Sequence, residues 1–176
     1  PHYDQDAGSK ATFQYLQILA NSGMQVHFIG DNFWHYPDTP YLDALTNMGV
    51  EVLYGNWYAK NWKKWLEENG KYLDYVILSR PHISVKYIDI LREKSNAKII
   101  YFGHDLHFLR EEREYELKKD EKYLKSSQEW KLKELELMRK SDVSYYFSDI
   151  EKDVIKKSDK NINVDVVPLF IYNDFK

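Results

Sequence analysis

Three short stretches of the sequence carry side chains whose types and spacing suit chemistry on a polar or anionic ligand. The first is Asp4-Gln5-Asp6-Ala7-Gly8-Ser9-Lys10, which runs into the apolar-periodic residues Phe13, Leu16, Leu19 and Ala20. A small turn that opens a helix presents backbone N–H groups at a positive dipole end, so Gly8 and Ser9 suit a phosphate or a sugar hydroxyl. Asp4 and Asp6 form an Asp-x-Asp triplet, in which two carboxylates can share a divalent cation. The competing role for Asp6 or Ser9 is to cap the helix, and the Gly-Ser that follows favours capping.

The second stretch is Gly103-His104-Asp105-Leu106-His107, at the end of the most β-like run. Imidazoles there can donate to a sugar hydroxyl or exchange a proton near neutral pH. A His-x-x-His metal pair lacks a further ligand cluster, and a polar turn capped by Asp105 is the structural alternative. The third stretch is Ser79-Arg80-Pro81-His82. Arg80 offers a planar fork for phosphate or carboxylate, and Pro81 fits the start of a helix. A surface ion pair is the alternative for Arg80.

These stretches make sense only at the ends of elements that place them. Six β-rich runs, Val26–Ile29, Val50–Tyr54, Tyr75–Leu78, Lys98–Phe102, Val143–Phe147 and Val164–Val167, alternate with helical periodicity near 9–21, 40–48, 58–69, 84–95, 109–140 and 149–157. The alternation predicts an α/β fold, a Rossmann-like doubly wound parallel sheet with helices on both faces. Ligands then meet the carboxyl ends of the strands, at Gly30-Asp31-Asn32, Gly55-Asn56, Ser79 to His82, Gly103 to Asp105 and Ser148-Asp149. Gly23, Gly49 and Gly70 each sit between a helical stretch and a strand, as helix-terminating glycines do.

Arg110 to Lys140 carries ten basic and nine acidic side chains in 31 positions, the mark of a solvated helix with i,i+4 pairs. Tyr58, Trp62, Trp65 and Leu66 form a stripe at helical spacing, read as packing against the sheet. With Lys60, Lys63 and Lys64 beside it, the same helix also suits a membrane surface, and Trp57, outside the stripe, is a candidate for stacking on a sugar or lipid.

The chain has 176 residues, 43% of them hydrophobic and 16% aromatic, the size of one domain spanning 1–176. Its net charge of −3, from 25 basic and 28 acidic residues, provides no global field to recruit nucleic acid. The absence of cysteine excludes disulfides and thiolate metal sites and fits a reducing, cytoplasmic setting. No apolar run reaches the roughly 20 residues of a spanning helix. Only Pro1, His2 and Tyr3 precede the first ligand turn, and the sequence ends on the apolar Pro168-Leu169-Phe170-Ile171 region, so a piece of a larger protein is expected.

Taken in order, Tyr3 to Lys10, Gly23-Met24-Gln25-Val26-His27-Phe28-Ile29, Met48 to Tyr54, Ser79 to His82, Asp105-Leu106-His107-Phe108-Leu109-Arg110-Glu111, Ser141-Asp142-Val143 and Ser148-Asp149-Ile150-Glu151 resemble the N-terminal domain of group 1 glycosyltransferases, also called glycosyltransferase family 4. The resemblance covers nearly the whole chain. It implies the N-terminal half of a GT-B enzyme, in which this domain receives the acceptor and a C-terminal domain, outside these residues, holds the nucleotide-sugar donor. It also implies that Asp6, Gly8, Ser9 and Lys10 form the loop near the donor diphosphate or acceptor. His107 or His104 would meet the sugar, the Asp-Leu-His alignment favouring His107, with Asp105 orienting hydroxyls.

Arg80, His82, Arg110, Ser148 and Glu151 are the expected substrate-binding residues. No metal, cofactor or covalent nucleophile is implied. The expected partners are the donor domain, a nucleotide sugar and a glycan or lipid-linked acceptor, with a peripheral position on the cytoplasmic membrane face as a further expectation. The rival class is a flavodoxin- or receiver-like binding domain, against which Ser79 counts because a phospho-receiver needs an acid at that strand end.

Overall fold

The structure is a computed structural model that describes residues 1–31 and 39–171. Asn32, at one expected strand end, lies outside these residues. The chain forms two compact units, one comprising Pro1–Trp65 with the segment that starts at Pro168, the other Leu66–Val167.

In the first unit, α1 (Ala7–Asn21) starts two residues earlier than its periodicity predicts, because Asp6 caps it. The Asp6 carboxylate accepts from the Ser9 N–H at 2.8 Å and the Ser9 hydroxyl at 2.7 Å. β1 (His27–Phe28), α2 (Thr39–Thr46) and β2 (Glu51–Val52) follow, then α3 (Asn56–Asn69). β1 and β2 pair in parallel, with Phe28 opposite Val52. Both strands are shorter than their sequence runs because each pairs only with the other in this sheet.

Gly23 and Gly49 end α1 and α2 at φ +80° and +83°, where an L side chain is strained. Met24 N–H then reaches Leu19 O and Val50 N–H reaches Leu45 O, the bonds that close a helix and turn the chain into a strand. Leu16, Leu45 and Val50 form the core, with Phe13, Val26 and Phe28 packed against them. The segment from Pro168 runs beside α1, where its carbonyl accepts from the Tyr15 hydroxyl and Ile171 exchanges two hydrogen bonds with Gln14.

The second unit is a four-stranded parallel sheet, β3 (Tyr75–Ser79), β4 (Lys98–Phe102), β5 (Val143–Tyr146) and β6 (Val164–Val166), paired in that order. Helices α4 (Pro81–Ser84) and α5 (Ile88–Lys94) join β3 to β4, α6 (His107–Lys118) and α7 (Glu121–Lys140) join β4 to β5, and α8 (Asp149–Ser158) joins β5 to β6. Strands in register joined by helices give the parallel, Rossmann-like α/β architecture that the alternation predicts.

Two predicted helices are each split. Residues 109–140 form a hairpin that turns at Lys119, whose φ of 54° is left-handed, and Asp120 then caps α7 through the Lys122 N–H. The segment near 84–95 becomes α4, begun early by Pro81, and α5. Gly70 opens a 3₁₀ turn (Gly70–Tyr72) rather than a left-handed cap. A β-carbon there would meet the Lys94 carbonyl at 2.5 Å.

The core of this unit is Ile99 and Tyr101 on β4, Tyr146 on β5, Phe108 on α6 and Leu137 and Met138 on α7. Gly103, just past β4, lies under the Tyr146 ring. A β-carbon there would stand 2.4 Å from Cζ of Tyr146, and a fully buried ring has nowhere to move. Gly103→Ala therefore lowers stability by about 1–3 kcal/mol in urea denaturation, the usual cost of overpacking. An unchanged midpoint contradicts this packing role.

Candidate active site

The carboxyl ends of β3, β4 and β5 carry the side chains of interest in the second unit. Ser79 ends β3, and its hydroxyl lies 2.8 Å from Nε2 of His104, which follows β4. The His104 ring meets Phe102 and Phe147 edge-on, at 5.3 and 5.7 Å between centroids. These contacts fix its plane. Arg80, the residue that follows β3, adopts φ 69° and ψ 131° immediately before Pro81. That backbone region is close to glycine-only and stores about 1–3 kcal/mol of strain. Ser84 helps to hold it by donating both its N–H and its hydroxyl to the Arg80 carbonyl.

α6 begins at His107 with no side chain of its own as a cap. Its first two N–H groups, of His107 and Phe108, donate instead to the two carboxylate oxygens of Glu134 on α7, each at 3.0 Å. Glu134 is fully buried. Burial pushes its pKa up to about 7, outweighing the two N–H donations, which act in the opposite direction. Two turns earlier in α7, the Ser127 hydroxyl donates to the carbonyl of the same Phe108. The phenols of Tyr101 and Tyr146 lie within electrostatic reach of Glu134, and burial pushes both far above their ordinary value.

This anchor sets out a row of polar groups. Nη2 of Arg110 donates to Nε2 of His107 at 2.5 Å, and Nη1 of Arg110 pairs with Asp105 at 3.1 Å. A guanidinium only donates, so Nε2 of His107 accepts and a neutral ring carries its proton on Nδ1. Burial first, then the Arg110 and His82 charges, lower the His107 pKa, with Asp105 opposing. The His107 ring stands 5.0 Å from Trp130 and 5.9 Å from His82.

Beside this row is a cavity of about 230 Å³, lined by Asp105, Leu106, Leu109, Arg110 and Arg113 from the β4 side and by Ser148, Ile150 and Glu151 from the start of α8. The Ser148 hydroxyl donates to the Glu151 carboxylate. The arrangement combines charged donors and acceptors with aliphatic walls. Such a lining can bind the hydroxyls of a small polyol on its polar side and the ring C–H face on the other.

Four residues singled out from the sequence, Asp105, Arg110, Ser148 and Glu151, thus meet around one cavity, and His107 is tied to it through Arg110. His104 pairs with Ser79 instead. His82 is exposed and lines a second cavity of about 250 Å³ with Trp130, Lys133 and Lys140, while Arg80 is exposed at the β3 end.

In the first unit, Asp6, Gly8, Ser9 and Lys10 form the first turn of α1 and its cap, and the Ser9 N–H assigned to an incoming anion is already taken by Asp6. Lys10 lies over the Phe170 ring. Asp4 accepts from Tyr41, so Asp4 and Asp6 serve different bonds. No group of three or more His, Cys, Asp or Glu among the described residues has metal-holding geometry.

Sequence reasoning missed Arg113 and Glu134. Arg113 follows Arg110 by three residues, on the same face of a helix. Glu134 is buried on the same side of α7 as Ser127 and Met138, seven residues before it and four after, and that spacing was the available signal.

Comparison with known proteins returns no match, whether to a family model, a curated protein or a solved structure.

Two outcomes follow from this geometry. Because the pKa of Glu134 is raised from 4.5 to about 7 on folding, its proton is held more tightly in the folded state. Its stabilisation is complete below pH 4.5 and is lost as pH rises through 7, by up to about 3 kcal/mol. Urea denaturation from pH 4 to 8 should show this loss relative to Glu134→Gln, which lacks the titrating group, and parallel pH profiles for the two proteins refute it. The second concerns Arg110→Ala, which removes one of the charges that lower His107. The His107 ring then titrates at higher pH by NMR, and an unmoved or lower midpoint contradicts the assigned contact.

Proposed function

We propose that this chain is the acceptor-side domain of a glycosyltransferase that moves a sugar from a nucleotide-sugar donor to a glycan or lipid-linked acceptor. The observation that carries the reading is the cavity between the β4 and β5 ends, where Asp105, Arg110, Ser148 and Glu151 gather next to His107. These are residues that the resemblance to group 1 glycosyltransferases assigns to substrate, and they converge although they are spread over 47 positions of sequence.

Transfer requires stabilisation of a cationic sugar and of the departing diphosphate by fixed dipoles and charges. On this reading Arg110 donates to a sugar hydroxyl, and His107, neutral at pH 7, positions the guanidinium by accepting from it at Nε2. Asp105, braced by the same guanidinium, accepts from a second hydroxyl. Glu151 accepts from a third, and the aliphatic side chains of Leu109 and Ile150 cover the ring face. The donor nucleotide is left to the second GT-B domain, and no covalent intermediate with the protein is required.

The flavodoxin- or receiver-like alternative finds less support. The β3 end offers Ser79, engaged by His104, where a phospho-receiver needs an acid.

The test is transfer by the full-length protein, followed as nucleoside diphosphate release from a panel of nucleotide sugars in the presence of glycan and lipid-linked acceptors. One donor supports turnover, and Arg110→Ala lowers kcat/KM about 10- to 100-fold, the ordinary loss of a charged hydrogen bond to substrate. Turnover of no donor, or full activity in the Arg110 variant, rejects the reading.

A further inference from the structure

The lining of the cavity between the β4 and β5 ends contains two acids, Asp105 and Glu151, and two arginines, Arg110 and Arg113. Three of these four charges are matched inside the protein. Asp105 pairs with Nη1 of Arg110 at 3.1 Å. Glu151 accepts from the Ser148 hydroxyl and sits in the first turn of α8, where the positive end of the helix dipole offsets a carboxylate. The fourth is Arg113, which makes no hydrogen bond or ion pair with any described residue.

The sequence around Arg113 explains why. Lysines of the α6–α7 hairpin find an acid four residues back, Lys118 at 2.6 Å from Glu114 and Lys140 at 2.7 Å from Glu136. The corresponding neighbours of Arg113 are Leu109 and Leu117, and three residues back stands Arg110, a like charge. Leu109, Arg110 and Arg113 share the face of α6 that lines the cavity. Arg113 thus brings a guanidinium with open donors to a wall whose other charges are already satisfied.

We infer that the sugar received by this cavity is acidic, a uronic acid whose carboxylate pairs with Arg113. The inference rests on the sugar-transfer reading and adds to it the class of sugar. At about 230 Å³ the cavity is smaller than the roughly 300–1,000 Å³ of sites for drug-sized ligands, so it takes one ring rather than a chain. One unmatched cation then calls for one negative charge. A carboxylate carries one, and its two oxygens fit the planar guanidinium fork.

A phosphate monoester carries about −1.5 to −2 near neutral pH, and the excess would face the two acids of the lining. A neutral sugar would leave Arg113 beside the ring with no counter-charge. A uronic acid differs from its hexose only by a carboxylate in place of the terminal hydroxymethyl group, so comparing the two isolates the Arg113 contact.

The experiment titrates the full-length protein with methyl glucuronide against methyl glucoside, methyl galacturonide against methyl galactoside, and glucose 6-phosphate. NMR shifts of the cavity residues, including the arginine side chains, report binding. In at least one of the two series the uronide half-saturates these shifts at about tenfold lower concentration than its neutral partner, the effect of one charged, hydrogen-bonded pair. Arg113→Gln brings the uronide to the affinity of the neutral glycoside and leaves the latter unchanged. Lys71→Gln, the same charge change in the turn that precedes β3, keeps the full preference.

Both substituted residues are exposed, and circular dichroism checks that each variant remains folded. Equal affinity for uronide and neutral glycoside in both series overturns the inference and leaves the sugar-transfer reading standing. No saturable shift with any of these sugars overturns the inference together with the placing of a sugar in this cavity. Tighter binding of glucose 6-phosphate than of either uronide, or a preference that survives Arg113→Gln, overturns the inference alone.

Discussion

Much of the second unit depends on one carboxylate. Glu134 has no solvent, and its two oxygens receive the first two N–H groups of α6. A helix start normally takes its cap from the residue just before it, but Leu106 cannot supply one. The cap therefore comes from the neighbouring helix, 27 residues away, and it joins α6 to α7 at the point where the chain leaves β4. Removing the carboxylate would leave two buried donors without acceptors, a more severe loss than that of an average contact.

The consequence is positional. His107 is the first residue of α6 and Arg110 lies one turn on, so the orientation of both follows from how that helix start is held. Arg110 then ties His107 to Asp105, and the cavity opens beside them. Gly103 and Tyr146 serve the same end from below: the absent side chain lets the Tyr146 ring lie against the turn that leads from β4 to the site. The strained backbone at Arg80 and the Ser79–His104 contact define the neighbouring strand end in a comparable way. The polar residues at these strand ends are thus held by structure rather than left on free loops, which is what preorganised hydroxyl recognition requires.

The architecture was largely legible in the sequence because its signals are local. β-rich runs such as Lys98–Phe102, and the glycines at 23 and 49, mark strands and helix ends through short-range conformational preference. The split of 109–140 was not legible, since Lys119 has no special tendency to adopt a left-handed conformation and only the packing of α6 on α7 selects it. Asp105 and Ser148 were expected near one another because topology alone places strand ends together, while Glu151 was singled out by the resemblance.

Glu134 was missed for the opposite reason. An acid in a run of mixed charges looks like a solvated position, and its role exists only once the helix start at His107 lies against it. For Asp6 the local rule sufficed, and the cap expected from Gly-Ser is the one formed.

The central claim is that the cavity between the β4 and β5 ends receives a sugar. Chemical-shift mapping on the full-length protein tests this most directly, with a nucleotide sugar and acceptor glycans titrated separately and together. The account predicts saturable shifts at Asp105, Arg110, Arg113, Ser148 and Glu151, including the Arg110 guanidinium, and smaller effects at residues of the second cavity such as Lys133 and Lys140. Saturable shifts that leave the first cavity untouched, or that centre on the second, would contradict it.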